Sequence, residues 1–271
     1  MFELKPPSDD GLLIPPVKPW SAHKHYFLRR FIDGFTTAMK DKWSELHYID
    51  LFAGAGIENV EGLGLDWGSP LIAAQAPHRF TRLHLCELDK EKFAALKIRA
   101  GAFAQPQTPQ LLHGDANKKI GEIVRTLPQR ALSLAFLDPY ALHLHYKTLQ
   151  QIAKRKVDLI IFFPDHLDAL RNWGAYYVSD PESNLDLVLG TGEWRTRKAQ
   201  TPPDRWIDVL REIYEHQLRK LGYCEFEYER IKSSDQRPLY RLIFCSKDKA
   251  GGKIWRGISH RSPDGQGRFQ W

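Results

Sequence analysis

Cysteine is scarce here. The 271 residues hold three, Cys86, Cys224 and Cys245, at no metal-ligand spacing and each in an apolar, strand-like run. That usage argues against a zinc site or a disulfide framework and predicts buried thiols in a reducing, cytoplasmic compartment. No apolar run approaches the roughly 20 residues that span a bilayer, so no membrane segment is expected. The phosphate-loop signature Gly-x-x-x-x-Gly-Lys-Ser/Thr is missing, as are internal repeats and low-complexity tracts. The first 19 residues hold five prolines together with Asp9 and Asp10. They are expected to form an extended arm and not a signal peptide.

What is present is an excess of positive charge, +6 overall with a pI near 9.1. From Lys247 onward there are six Lys or Arg against two Asp, so the excess gathers at the end of the chain. A clustered basic surface suits a polyanion, and a solvated tail is the plain alternative.

The chain is organised around Tyr48-Ile-Asp-Leu-Phe-Ala-Gly-Ala-Gly56. It reads as a buried strand ending on Asp50 and running through Phe52 into a turn with Gly54 and Gly56. Those glycines can take positive φ and let a ligand approach the backbone. Parallel α/β sheets bind ligands at the carboxyl ends of their strands, so the turn is a crevice wall. A dinucleotide, a nucleotide phosphate and S-adenosylmethionine (SAM) all remain open at this point.

Upstream, Trp20 to about Leu46 reads as a helix, with Tyr26, Phe27, Phe31, Phe35 and Met39 on one face and Lys24 near its start. Residues 1–45 are thus an arm and a helix, and 46–271 an α/β domain. Residues 57–67 read as a loop. Ser69 and Pro70 read as the N-cap and first residue of a short helix. Further strands follow at Leu83–Asp89, Leu111–Asn117, Ala131–Tyr140 and Val157–Phe163, separated by helices at Lys90–Arg99 and Lys147–Lys156. Apolar runs alternating with helices predict a mostly parallel twisted sheet covered on both faces. The stretch 164–205, with Arg171 and Trp194, reads as an insertion at the rim of the site. A helix at Trp206–Leu221 and an antiparallel hairpin, Tyr223–Ile231 with Pro238–Cys245, end the reading.

Four consecutive strands end in Asp50, Glu87, Asp115 and Asp138. Together they suit a ligand rich in hydroxyl and amine donors and carrying positive charge, which describes SAM. A dinucleotide fits less well, because its pyrophosphate wants a glycine turn leading straight into a helix. Asp138-Pro139-Tyr140 adds the acceptor chemistry. Methylating an exocyclic amine needs its two N–H bonds held, by a carboxylate and by a backbone carbonyl with no competing partner, and a ring stacked on the base face. Stacking of that kind is worth about 1–3 kcal/mol.

These residues resemble the motif series of class I SAM-dependent methyltransferases, with their Rossmann-like fold. They are most similar to the amino-methylating nucleic-acid branch, although one proline stands where that branch usually has two. A resemblance over nearly the whole chain is to the three-Cys-motif partner proteins. It is carried by Trp20 with Lys24, Tyr48–Gly56, Gly68–Leu71, Gly114–Asn117, Phe136–Leu142, Gly190–Trp194 and Lys253–Trp255. Ala141 replaces that family's usual glycine, and Ala55 its usual proline. The resemblance implies SAM as cofactor, held by Asp50, Phe52, Gly54, Gly56, Ser69, Glu87, Asp115 and Ala116. It implies Asp138, Pro139 and Tyr140 as the catalytic group. Lys24, Arg171, Trp194, Lys253 and Arg256 are expected to grip an RNA or DNA substrate. A three-cysteine partner protein is implied as well, so a non-catalytic, SAM-binding subunit of a modification or phage-defence complex is the alternative.

Overall fold

The computed structural model describes residues 2–103, 108–139, 142–163, 182–202, 205–232 and 238–259. Within them the chain runs β1 (Pro16–Val17), α1 (Trp20–Met39), β2 (Leu46–Asp50), β3 (Ile57–Val60), β4 (Gly64–Trp67) and α2 (Ser69–Ala74). It continues through β5 (Arg82–Glu87), α3 (Lys90–Ala102), β6 (Gln110–His113), α4 (Ala116–Thr126), β7 (Leu132–Leu137), α5 (Tyr146–Ile152) and β8 (Val157–Phe163). Last come α6 (Asn184–Leu189), α7 (Trp194–Ala199), α8 (Trp206–Lys220), β9 (Glu225–Lys232), β10 (Pro238–Ser246) and α9 (Lys249–Ser259).

Seven strands form the main sheet in the order β6-β5-β2-β7-β8-β10-β9. The first five are parallel, and β10 pairs antiparallel with both β8 and β9. Side chains alternate between two cores, as the two-residue period of a strand requires. On β7, Leu134 and Phe136 join Phe27 and Phe31 of α1, Ile72 of α2 and Leu96 of α3. Ala135 and Leu137 face the other way, toward Ile120 of α4, Leu149 of α5 and Leu210 of α8. This is the doubly covered, Rossmann-like sheet with a C-terminal antiparallel hairpin that the apolar runs predicted. Strand order reverses between β2 and β7, which makes the carboxyl ends of those two strands the topological switch point.

Several expected elements differ. Helix α1 stops at Met39, because Leu46 belongs to the ladder of β2 and pairs with Leu132. Residues 57–67 are not a loop: β3 and β4 form a hairpin, and β1 pairs parallel with β3 to make a second, three-stranded sheet. The proline-rich arm is therefore tied to the domain by backbone pairing. Cys86 and Cys245 are buried as expected, but Cys224, just before β9, is exposed. Among the described residues no helix is long and apolar enough to cross a membrane.

The Gly190–Trp194 motif is structural. Gly190 ends α6 in the left-handed region at φ +68°, and a Cβ there would lie 2.3 Å from Cδ1 of Tyr146. Gly190→Ala is expected to lower stability by about 2–4 kcal/mol, through the left-handed backbone and the overlap with the ring together. Urea denaturation measures this, and an unchanged midpoint would refute the packing argument.

Candidate functional site

The turn after β2 is held from four sides. The N–H of Ala53 donates to the carbonyl of Cys86 at 2.9 Å, and that of Gly54 to Oε2 of Glu87 at 2.8 Å. Gly68 N–H donates to the carbonyl of Gly56 at 2.8 Å, and Nη1 of Arg99 to that of Ala55 at 2.7 Å. Gly54 and Gly56 take φ of +63° and +89°. Gly56 is buried with its Cα packed on Leu71, where a Cβ would lie 3.1 Å from Cδ1. A Cβ on Gly54 would meet nothing nearer than Oε1 of Glu58 at 3.9 Å, so the turn presents bare backbone at that position. That is the surface a bulky cofactor needs.

Asp50 lies behind the turn with no exposed surface. Its carboxylate accepts from Ser69 Oγ at 2.6 Å, Phe52 N–H at 3.1 Å and the Tyr48 hydroxyl at 3.3 Å. Burial pushes its pKa up to about 7; the bonds from Ser69, Phe52 and Tyr48 oppose the rise and the nearby charge of Asp138 adds to it. Against the expectation that Asp50 meets the cofactor directly, its oxygens are enclosed by protein and bonded to Ser69, Tyr48 and the Phe52 backbone, so the carboxylate presents no surface to a ligand. Ser69 is likewise not the N-cap of α2. Gly68 is, and the Ser69 hydroxyl is committed to Asp50.

Glu87 ends β5, nearly buried, with each oxygen taking one backbone donor, Gly54 N–H and Asp89 N–H, both at 2.8 Å. Each oxygen keeps a second lone pair. Asp115 caps α4, accepting from Asn117 N–H at 2.9 Å, with Ala116 buried behind it. Phe52 is partly exposed beside the turn.

Asp138 follows β7, and Pro139 is buried. Nζ of Lys24, from α1, donates to Oδ2 of Asp138 at 2.5 Å and stands 4.5 Å from the centroid of the Phe162 ring. The Lys24 side chain is 11% exposed and that of Asp138 20%. Lys24 thus lies at the switch point, and its ammonium, expected to grip a nucleic acid, is paired with Asp138 instead. Tyr140 and Arg171 lie outside the described residues.

Two other expected substrate contacts are placed elsewhere. Trp194 is fully buried in the core under α8, with Nε1 donating to Oδ1 of Asp186 at 2.9 Å. It has no surface to offer a substrate. Arg256, on α9, is paired with Glu225 at 3.5 Å and Glu227 at 2.6 Å. Those glutamates sit where β9 pairs with the Ser246 end of β10, at the amino-terminal edge of the parallel strands, so Arg256 is directed away from Asp138. Lys253 is exposed on the same helix.

Sequence reasoning missed Arg99, Asp10, Glu58 and Asp66. Arg99 is 4% exposed; it also bonds both oxygens of Asp10, at 2.6 and 2.8 Å, and the Leu13 carbonyl at 2.9 Å. The guanidinium holds the Asp10 carboxyl down at about 2. Glu58 and Asp66, on the β3–β4 hairpin, flank His25 at 3.7 and 3.4 Å. A linear reading carries no signal for these pairings, which join positions far apart in the chain. Among the described residues no group of His, Cys, Asp and Glu could hold a metal ion.

The chain matches no model of a known protein family and no characterised protein by sequence. Among solved structures it is similar to protein LPL1258 from Legionella pneumophila, of family-model DUF519, at 11% identity and a TM-score of 0.51 over 89% of this chain and 92% of that one. That likeness is one of fold. Weaker similarity extends to Trm1 from Pyrococcus horikoshii in complex with SAM, at 12% identity and a TM-score of 0.49 over 92% of this chain and 62% of that one. It extends also to the O-methyltransferase from Bacillus cereus in complex with SAH, at 10% identity and a TM-score of 0.47 over 84% and 82%.

Proposed function

We propose that this chain is a SAM-dependent methyltransferase acting on an exocyclic amine of a nucleobase in RNA or DNA. The observation that carries the reading is one crevice edge, at the switch point. The Gly54 turn after β2, Glu87 at the end of β5, Asp115 after β6 and Asp138 after β7 gather there, with Asp50 enclosed behind the turn and one oxygen of Asp138 free. Among the described residues nothing donates to Oδ1 of Asp138.

The residues fit the cofactor. The turn at Gly54 and Gly56 admits its methionine portion, and Glu87 and Asp115 present lone pairs for its ribose hydroxyls and adenine amine. When bound, SAM supplies an electrophilic methyl group on a sulfonium. The protein's share is orientation and charge. Asp138 accepts one N–H of the target amine, and the Pro139 carbonyl accepts the other, which turns the nitrogen lone pair toward the methyl carbon. Asp138 also stabilises the positive charge that grows on that nitrogen. Tyr140 completes the acceptor seat by stacking. Arg171 and the basic residues beyond α9 grip the polymer through its phosphates. Lys253 shares the far edge of the sheet with Arg256 and is left out of that grip. The cytoplasm is the compartment where such a substrate and free thiols coexist. The likeness to three-Cys-motif partner proteins rests on the shared residues alone, and a partner protein belongs to this proposal on the same footing.

Calorimetry with SAM, followed by tritium transfer from SAM into bulk RNA and DNA, tests the reading. Micromolar binding with transfer supports it. Binding without transfer to either polymer points to a regulatory subunit.

The arm adds a second expectation. Arg99 clamps both the arm and the Ala55 carbonyl, so Arg99→Met should free the turn. SAM affinity is expected to fall about tenfold, since loss of a charge-assisted contact costs about 1.5–3 kcal/mol. Proteolysis ahead of Leu13 should quicken in the same variant. Unchanged cleavage and unchanged affinity would show that the arm does not brace the site.

A further inference from the structure

We propose that Lys24 is a positioning residue that fixes which oxygen of Asp138 meets the substrate and makes the seat one for an uncharged amine. This rests on the reading of Asp138 as the group that orients the acceptor.

Two observations carry it. The Lys24 ammonium is bonded to Oδ2 of Asp138 at 2.5 Å, while Oδ1 accepts no hydrogen bond among the described residues. The ammonium also rests 4.5 Å from the centre of the Phe162 ring and is largely shut off from water, so it is held on two sides. An ammonium carries only donors and a carboxylate only acceptors. The pair therefore leaves one acceptor oxygen with a fixed direction. Its net charge is zero. A protonated alkyl amine brought to Oδ1 would meet the Lys24 cation a few ångströms away at low dielectric, a repulsion that an aromatic amine with neutral N–H bonds avoids. Lys24 cannot itself be the methyl acceptor while it is protonated, because an ammonium has no lone pair.

The pairing makes an unusual demand on position 138. An asparagine has a single acceptor oxygen. If that oxygen takes the Lys24 bond, the amide NH2 faces the substrate N–H, donor against donor. If it turns to the substrate, the NH2 faces the ammonium. The Asp138→Asn change is therefore tolerated only where Lys24 has been removed.

The test uses the full chain, tritiated SAM, and total RNA and genomic DNA as probes, with Lys24→Met, Lys24→Arg, Asp138→Asn and the double variant Lys24→Met/Asp138→Asn. Lys24→Met should lose about 10- to 100-fold in kcat, the range for one misaligned polar group, with KM for SAM changed less than about twofold. Lys24→Arg should keep most of the rate. The double variant should exceed Asp138→Asn alone by about tenfold or more. A readout without catalysis accompanies it: Asp138→Asn should lower the melting temperature when Lys24 is present and leave it nearly unchanged in the Lys24→Met background.

Wild-type transfer with Lys24→Met equally active, or a double variant no better than Asp138→Asn, would overturn the role of Lys24. Methylated Lys24 in the wild-type protein after incubation with SAM would overturn it too. Absence of wild-type transfer to either polymer, with the melting-temperature coupling intact, would overturn the amine-methyltransferase reading instead.

Discussion

Asp138→Ala is expected to lower methyl transfer by about three orders of magnitude, while SAM affinity stays within about twofold of wild type. In the proposed role the carboxylate both aligns the amine and meets its growing charge, and loss of one such group at a preorganised site costs about 10²–10³ in kcat. Misalignment of the remaining contacts adds to that. The cofactor contacts proposed above, on the turn and on Glu87 and Asp115, lie on the other side of the switch point, so binding should be spared. Stability is not spared. Lys24 is 9% exposed, and Asp138 is the one carboxylate it touches among the described residues. Breaking a buried pair from one side costs about 3–5 kcal/mol, so the variant should melt earlier and be assayed well below its midpoint. Lys24→Met/Asp138→Ala should recover the stability without the rate. Glu87→Ala shows the opposite profile, with SAM binding lost first. Near-wild-type transfer by folded Asp138→Ala would remove Asp138 from the chemistry.

The second large effect concerns Asp50. Its folded pKa, about 7, stands above its usual 3.8 because burial penalises the charge. A raised acid binds its proton more tightly when folded. The sign therefore runs against the ionised form: the contribution of Asp50 to stability is fullest below pH 4 and is lost as pH rises to 7. At about 1.4 kcal/mol per pH unit, the loss amounts to about 4 kcal/mol by neutral pH. Asp50→Asn carries no such term and keeps acceptors and donors for Ser69, Phe52 and Tyr48. It should equal or trail wild type at pH 4 and exceed it by a few kcal/mol above pH 7. Asp158 supplies the control. It is buried near the start of β8, bonded by Ser246 at 2.6 Å, with its pKa also pushed by burial to about 7. Asp158→Asn should give a similar stability gain with no change in SAM binding, while Asp50→Asn should alter both. His84, pushed down to about 4 by burial, bends the whole stability curve the other way between pH 4 and 6.5. The difference between variant and wild type, measured by urea denaturation across pH 4–8, is thus the quantity that decides. A difference that does not grow with pH would contradict the burial argument.

Why the sheet was legible and parts of the site were not follows from where each signal is stored. Parallel strands covered on both faces must be apolar on both, so β2, β7 and β8 announce themselves as continuous runs, and the acid ending each of the first two follows directly. The β3–β4 hairpin carries Glu58, Asn59 and Asp66 inside four-residue strands, which breaks the alternation that marks a strand. Arg99 stands in the last turn of α3, where a cation reads as solvated, and its burial depends on Asp10, 89 positions away. Ser69 has the residue type and neighbour of an N-cap, but its hydroxyl is taken by Asp50 and caps no helix N–H. Arg256 has the charge of a phosphate contact, and only the register of β9 against β10 reveals that two glutamates already hold it. Local pattern marked the strands and their acids. Pairings across the fold determined which charges face the crevice.

The most direct measurement is a transfer reaction with SAM carrying a trideuterated methyl group, run with the full chain on total RNA and on genomic DNA. Each polymer is then digested to nucleosides for mass spectrometry. A nucleoside bearing the labelled methyl on an exocyclic nitrogen, formed by wild type and absent with Asp138→Ala, is the predicted result. Label confined to ribose, to a ring carbon or to protein, or none at all from an enzyme saturated with SAM, would contradict it.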